Sequence, residues 1–492
     1  MREAKPAPTT LVHYRLKNFH SKPSAGAWGS LSDGPRRISI PAAGHALATA
    51  VVLIATFAPA VNTFITATVL PSVVAEIGGL ALYAWATTAY AVASIVAAAA
   101  SSVVMRRLGT RITFVVASAT LAVGTTACAV APAMEVIVAG RAIQGLGGGM
   151  MFGVVHGAVR ELFPDVMWQG RLALVSGVWG VAAIGGPFIG GVLAQLGLWR
   201  LAFLGMVPII LAPSAMAWWL LPRRPHRDGP APQVPIGRLL LICAAVLCLG
   251  FVANATSIVL RAALLAGVVA AITLTFRLDA RAGLRLFPSD LLSLSRPMGK
   301  AAAMVFLIAA AGSPTGIFMP LLLKVAHGVP PVVAGYCYVG QSLAWSVIAL
   351  FAARIRPDRV GAALIGGPLV MSFGLGAVAV TIGTGPVAAV AAGLVMAGAG
   401  IGLCWAHIAR IVLASARDGE GEVSAALTPS TQLFAIAFGG AVSGIVASAT
   451  GLSHTATAPV AAFTGTVLFG GAALAPLLAA LIAIGLPPPK PS

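Results

Sequence analysis

Arg141 is the residue whose setting bears most directly on chemistry. It stands inside an apolar run, 136–159, about seven residues from one end and so at roughly 10 Å depth if the run is helical. A guanidinium keeps its proton and offers only donors, so it must find acceptors. Within hydrocarbon it costs at least ~2.5 kcal/mol unless partners or water satisfy it. One reading is a cavity-lining arginine that adjusts the binding of a proton or small molecule; the other is a structural arginine bonded to helix carbonyls. Asn62 lies at similar depth in its own run, 46–70, and Gln144 follows Arg141 by one helical turn. This placement predicts that Asn62, Arg141 and Gln144 face one another.

Proton chemistry needs a group whose affinity can differ between two exposures. The chain has 13 carboxylates, and none falls in the middle of an apolar run. The remaining candidates are Glu135, two turns outside Arg141, Glu76 beyond the end of the first run, and the histidines His156 and His407. The five cysteines lack metal-ligand spacing, and an odd count gives no disulfide framework. No phosphate-binding loop and no nucleophile–base pair stands out, so the chain reads as neither an enzyme nor a cofactor protein, and no metal site is expected.

The elements that position these residues follow from composition. Of 492 residues, 59% are hydrophobic and 9% charged, against about 25% charged in soluble domains. No Asp, Glu, Lys or Arg occurs in 38–75, 77–105, 172–199, 360–409 or 423–489. A bilayer core takes roughly 20 apolar residues as helix, so the last two runs hold two spans each. Gly383-Thr384-Gly385-Pro386 and Gly451-Leu452-Ser453-His454 divide them. Because the runs lack alternation of period two, they read as helices rather than barrel strands. About 14 spans result: 46–70, 82–104, 112–131, 136–159, 172–196, 201–221, 238–254, 258–276, 300–323, 332–353, 361–382, 387–409, 424–448 and 462–486.

With the N-terminus inside, 27 of the 31 lysines and arginines fall on the cytoplasmic side, which places both termini there. The net charge of +18 is therefore distributed as membrane topology requires, and no nucleic-acid partner is expected. The chain divides into a disordered basic arm (1–44), a six-helix half (45–222), a linker with two extra helices (223–299), a second six-helix half (300–486) and a short tail (487–492). Membrane lipid is the natural solvent. Two similar halves suit a bundle that opens alternately to either face.

Local motifs now point to a family. Arg106-Arg107-Leu108-Gly109-Thr110-Arg111 follows the second span. Arg141-Ala142-Ile143-Gln144-Gly145-Leu146-Gly147-Gly148-Gly149 lies in the fourth, and Gly186-Pro187-Phe188-Ile189-Gly190-Gly191 in the fifth. Leu70-Pro71, Trp199-Arg200-Leu201-Ala202-Phe203 and Pro320-Leu321-Leu322-Leu323-Lys324 add to the set. In this order, over roughly 43 to 450, they resemble the major facilitator superfamily and within it the fourteen-helix drug:proton antiporter branch.

The resemblance implies an all-α membrane bundle: two pseudo-symmetric six-helix halves plus an inserted central hairpin. It implies export of small amphiphiles by a monomer in a bacterial inner membrane, with protons as counter-substrate; the alternatives are an uncoupled or differently coupled metabolite exporter and a non-transporting sensor or assembly relative. Arg106, Arg107, Gly109 and Arg111 would form the gating loop, and Gly186, Pro187, Gly190 and Gly191 the antiporter helix motif. The pattern departs at Ser102, where the family has glycine, and at Arg106, where it has aspartate. Asn62 likewise stands where an aspartate is common. Without a buried acid, the cavity is expected to prefer neutral or anionic substrates. Trp85, Tyr90, Trp179, Trp345 and Trp405 are the expected aromatic walls.

Overall fold

The computed structural model describes residues 42–221, 235–255, 257–283, 285–417 and 420–486. The expected arm before residue 42 and the tail after 486 lie outside the described residues. Among the described residues all regular structure is helical: α1 (Ala42–Ile77), α2 (Tyr83–Ala129), α3 (Met134–Leu162), α4 (Asp165–Gln195), α5 (Trp199–Leu204), α6 (Met206–Leu220) and α7 (Ile236–Val252). Then follow α8 (Ile258–Ala280), α9 (Pro297–His327), α10 (Pro331–Ala352), α11 (Val360–Thr381), α12 (Val387–Ala414), α13 (Gly421–Ala449) and α14 (Ala458–Ala483).

Among the described residues twelve segments are long and apolar enough to cross a membrane. One of these, Leu80–Ala129, is 50 residues long and is interrupted at Gly109, whose φ of 79° and ψ of 160° are non-helical. Only glycine adopts that backbone readily. The arms on either side, 83–108 and 110–129, both lie along α3 and run in opposite directions. Tyr90 and Ser94 meet Gly145 and Gly149, while Leu121 and Gly124 meet Gly147 and Gly140. The expected gating loop is thus a one-residue reversal within a helical hairpin. With that division, and with the shorter apolar helix Ile236–Val252, the bundle has fourteen rods; α5 and α6 together form one of them.

Close packing between the rods rests on glycine. A Cβ at Gly145 would overlap the Tyr90 carbonyl, and one at Gly398 would overlap the Gln341 carbonyl. Small residues let backbones approach where lipid supplies no hydrophobic drive. The central hairpin, α7 and α8, lies against both halves. The Trp85 ring of α2 packs at a tilt against Phe251, 4.7 Å between centroids, and Ser448 of α13 donates to the Ala253 carbonyl at 2.8 Å. At the face where α1 begins and α14 ends, here the terminal face, Asp279 accepts from Arg238 and from the backbone N–H groups of Leu286 and Phe287. Asp290 there takes a two-pronged bond from Arg417 (3.0 and 2.7 Å).

Candidate transport site

Arg141 sits on α3 beneath both arms of α2, and only 3% of its surface is exposed. Its Nε donates to the Ala86 carbonyl at 3.0 Å and one Nη donates to Gln144 Oε1 at 2.8 Å. The guanidinium plane lies 4.2 Å from the centre of the Tyr90 ring, a cation–π contact worth about 0.5–2 kcal/mol. Gln144 in turn donates to Thr125 Oγ1 at 2.9 Å and to Asn62 Oδ1 at 3.4 Å. The chain Arg141–Gln144–Asn62 therefore ties together α1, α3 and both arms of α2. Its acceptors are a carbonyl, a hydroxyl and two amides. Asn62 Nδ2 is buried with no partner. The centre is rich in donors, positively charged and free of acid at these contacts.

Two residues beyond Asn62, Phe64 carries this centre to an aromatic cluster. Its ring lies 6.5 Å from Trp179, edge-on, and 5.7 Å from Tyr338 of the second half. The 186–191 motif builds the same junction. Gly186 and Gly190 admit Phe64 and Ile65 of α1, Gly191 admits Val332, and Pro187 packs on Gly335 of α10. Tyr336 donates to the Ile184 carbonyl at 3.3 Å, and Lys324 Nζ reaches the Pro71 carbonyl at 3.3 Å and Ser72 Oγ at 3.4 Å. These contacts close the two halves on one another at the face opposite the termini. On that face, too, Glu76 accepts from Arg200 and from Trp199 Nε1 at 2.6 Å.

The other residues singled out from sequence are dispersed. Glu135 is exposed in the first turn of α3, where a carboxylate complements the helix dipole. His156 lies toward the other end of α3 and, with Trp179, lines a small pocket with room for about one water. His407 is buried on α12 with Nε2 unpartnered. At the hairpin reversal Arg106 is half-buried and Arg107 exposed. Beside them Thr110 donates to Glu161 at 2.6 Å, and Arg111 lies over Trp218 at 4.1 Å.

Trp85 does not share a wall with Tyr90. Five residues on a helix place them about 140° apart, and Trp85 instead turns to α7, its Nε1 3.4 Å from Asn254 Oδ1. Trp345 and Trp405 form an edge-on pair in the second half at 5.3 Å. Sequence reasoning missed Thr125, Tyr338 and the bridging role of Lys324. Among the described residues no group of three His, Cys, Asp or Glu side chains could hold a metal ion.

This architecture is a polytopic helical bundle. It overlays a POT family transporter solved with 5-aminolevulinic acid at a TM-score of 0.66, with 13% identity over 90% of this chain and 96% of that one. A D-xylose-proton symporter gives 0.63, also at 13% identity, over 90% of this chain and 98% of the other. The model of the Major Facilitator Superfamily matches residues 52–440, and the chain belongs to that superfamily. It is 33% identical over 403 residues to the "Probable multidrug-efflux transporter Rv1634" of Mycobacterium tuberculosis (strain ATCC 25618 / H37Rv), covering 79% of this chain and 84% of that protein. It is 28% identical over 389 residues to the "Probable actinorhodin transporter" of Streptomyces coelicolor, covering 74% and 66%. The protein is thus a multi-pass membrane transporter of small molecules and not an enzyme.

Proposed function

We propose that this protein is a proton-driven exporter of small neutral or anionic amphiphiles, belonging to the fourteen-helix antiporter branch. The observation that carries the reading is the buried Arg141–Gln144–Asn62 chain, which presents donors and a fixed positive charge with no carboxylate at these contacts. A lipophilic dication would meet repulsion there, whereas an anionic or neutral acceptor would satisfy Asn62 Nδ2. The direction of transport is supported by relatives whose names describe efflux. It is supported also by the Gly-Pro-x-x-Gly-Gly segment, which sits at the junction of the halves where alternating access would have to break and remake contacts. The closed contacts at the face opposite the termini fit a cavity open toward the terminal face, which the basic loops assign to the cytoplasm of a bacterial inner membrane. The unit of transport is the monomer.

Vesicles holding the purified protein and given an imposed pH gradient test the reading. They should move an anionic naphthalene sulfonate dye in proportion to the gradient and leave ethidium behind. Gradient-independent movement would remove proton coupling. One observation favours that second reading, an uncoupled exporter: none of the 13 carboxylates falls in the middle of a span.

A further inference from the structure

The α7–α8 hairpin is inserted between two halves that an alternating exporter must move against one another, so the hairpin has to travel with one of them. Its contacts with the two halves differ in kind.

Toward the second half the contacts are short and polar, and they occur at both faces. At the terminal face Asp279, buried near the end of α8, accepts from Arg238 at the start of α7 and closes the base of the hairpin. The same carboxylate accepts from the backbone N–H groups of Leu286 and Phe287, at 2.7 and 3.1 Å, which draws the chain after α8 back beneath the hairpin. The Phe287 ring rests 5.3 Å from that of Phe276. The next residues reach the connection between α12 and α13. The Ser289 N–H is shared by both oxygens of Glu420, at 3.2 and 3.3 Å, and Asp290 takes the two-pronged bond from Arg417. Arg285 stands 3.9 Å from Glu420. The pairing is reciprocal: an acid of the linker holds an arginine of the second half, and an acid of the second half meets an arginine of the linker. Charge-assisted bonds of this kind are roughly twice as strong as neutral ones. At the opposite face Ser448 of α13 donates to the Ala253 carbonyl at 2.8 Å. Between the two faces Ala245, Leu249 and Val268 pack on Ala441 of α13.

Toward the first half the contacts are apolar or long. The Trp85 ring lies at a tilt to Phe251, and its Nε1 is 3.4 Å from Asn254 Oδ1. Cys243 Sγ is 3.8 Å from the Val92 carbonyl, and Ala91 and Val92 of α2 share a small cluster with Cys243 and Val246 of α7. Bonds this long are weak, and packed helices joined by apolar side chains slide over one another in shear motions.

Resting on the alternating-access reading above, we infer that the linker at 285–296 is a strap that fastens α7 and α8 to the second half. The boundary that moves during transport then runs between α2 and α7, and six rods rock against eight. The insert enlarges one of the two moving bodies. It is not a flexible tether between them.

The test uses the full chain in vesicles, with the naphthalene sulfonate dye as cargo and a short bis-methanethiosulfonate as a reducible cross-linker. In one chain Val92→Cys is linked to the native Cys243, the other four cysteines being alanine. In a second chain, with all five native cysteines replaced by alanine, Ala253→Cys is linked to Ser448→Cys. The first link joins α2 to α7 and should lower export at least about tenfold, with recovery on reduction. The second joins α7 to α13 and should leave export within about twofold of the reduced chain. Export untouched by the first link, or arrested by the second, overturns the strap. Reduced chains that export nothing remove the exporter reading, and distances then decide on the strap alone. Spin labels on Val259→Cys and Val130→Cys, both exposed at the face opposite the termini, should report two separations, whereas Val259→Cys with Phe463→Cys should report one. A single value for the first pair, or two for the second, overturns the inference.

Discussion

In α3 the glycines at 140, 145, 147 and 149 admit the two arms of α2; in α12 those at 393, 398, 400 and 402 admit α11 and α10 in the same order. Gly145 meets Tyr90 as Gly398 meets Gln341, and Gly147 meets Leu121 as Gly400 meets Met371. The register is one of 253 residues along this helix, from 145 to 398. It sets Leu394 where the first half has Arg141, and Ala397 where it has Gln144. Aligning Pro71 with Pro320, near the ends of α1 and α9, sets Ala311 opposite Asn62. The second half therefore folds the same helix sandwich with three apolar residues where the first half buries a charge and two amides. Packing of the sandwich does not require the polar chain, and the exporter proposed above would use it on a ligand.

Substitutions that copy one half into the other break or sharpen this contrast. The largest effect is expected from Arg141→Leu. It relieves the desolvation of a buried charge, but loses that charge's bonds to Ala86 and Gln144 and orphans the Gln144 acceptor at about 1–3 kcal/mol. The two oppose each other, so thermal stability should barely move while transport falls about a hundredfold or more. A parallel loss of folded protein would show Arg141 to be structural. Next in size, Gly145→Ala and Gly398→Ala each drive a methyl group into a neighbouring backbone carbonyl. Both should lose about 1–3 kcal/mol in a detergent unfolding assay, by similar amounts; a tolerant second half would deny the shared plan.

A smaller effect is expected from Lys324→Met. It loses the bonds to Pro71 and Ser72 that hold α9 on α1. A cysteine placed at Ile184 should then react roughly two- to fivefold faster with a membrane-impermeant maleimide, as a bond worth about 0.5–1.5 kcal/mol implies. The smallest concerns Trp85→Phe, which gives up one long bond to Asn254 and keeps a ring against Phe251. Transport should be unchanged, in line with its place outside the Arg141 centre.

Much of this was legible in the sequence because the bilayer constrains it. Charge-free runs and the breakers at Gly383–Pro386 and Gly451–His454 marked out an all-helical membrane bundle, since helices must satisfy their own backbone in lipid. The encounter of Asn62 with Gln144 followed from equal depth alone. Thr125 did not, because hydroxyls are common in spans and depth says nothing about which face a side chain occupies. The turn of Trp85 toward α7 was not legible for the same reason: aromatic character marks a wall but not its direction. Lys324 gave no sign of bridging the halves, because its partners are a backbone carbonyl and a serine 253 and 252 residues away. The glycine ladder shared by α3 and α12 was readable, yet the change from Gly-Arg-Ala-Ile-Gln-Gly to Gly-Leu-Val-Met-Ala-Gly hides the repeat behind the loss of its polar members.

The charge preference of transport tests the central claim most directly. Paired naphthalene substrates, one bearing a sulfonate and one a quaternary ammonium, should be exported by wild-type vesicles at rates differing at least about tenfold in favour of the anion, equivalent to about 1.4 kcal/mol. Asn62→Asp, which sets a carboxylate at the end of the Arg141–Gln144 chain, should narrow or invert that ratio. A wild-type protein that prefers the cation, or a ratio unmoved by Asn62→Asp, would contradict the account.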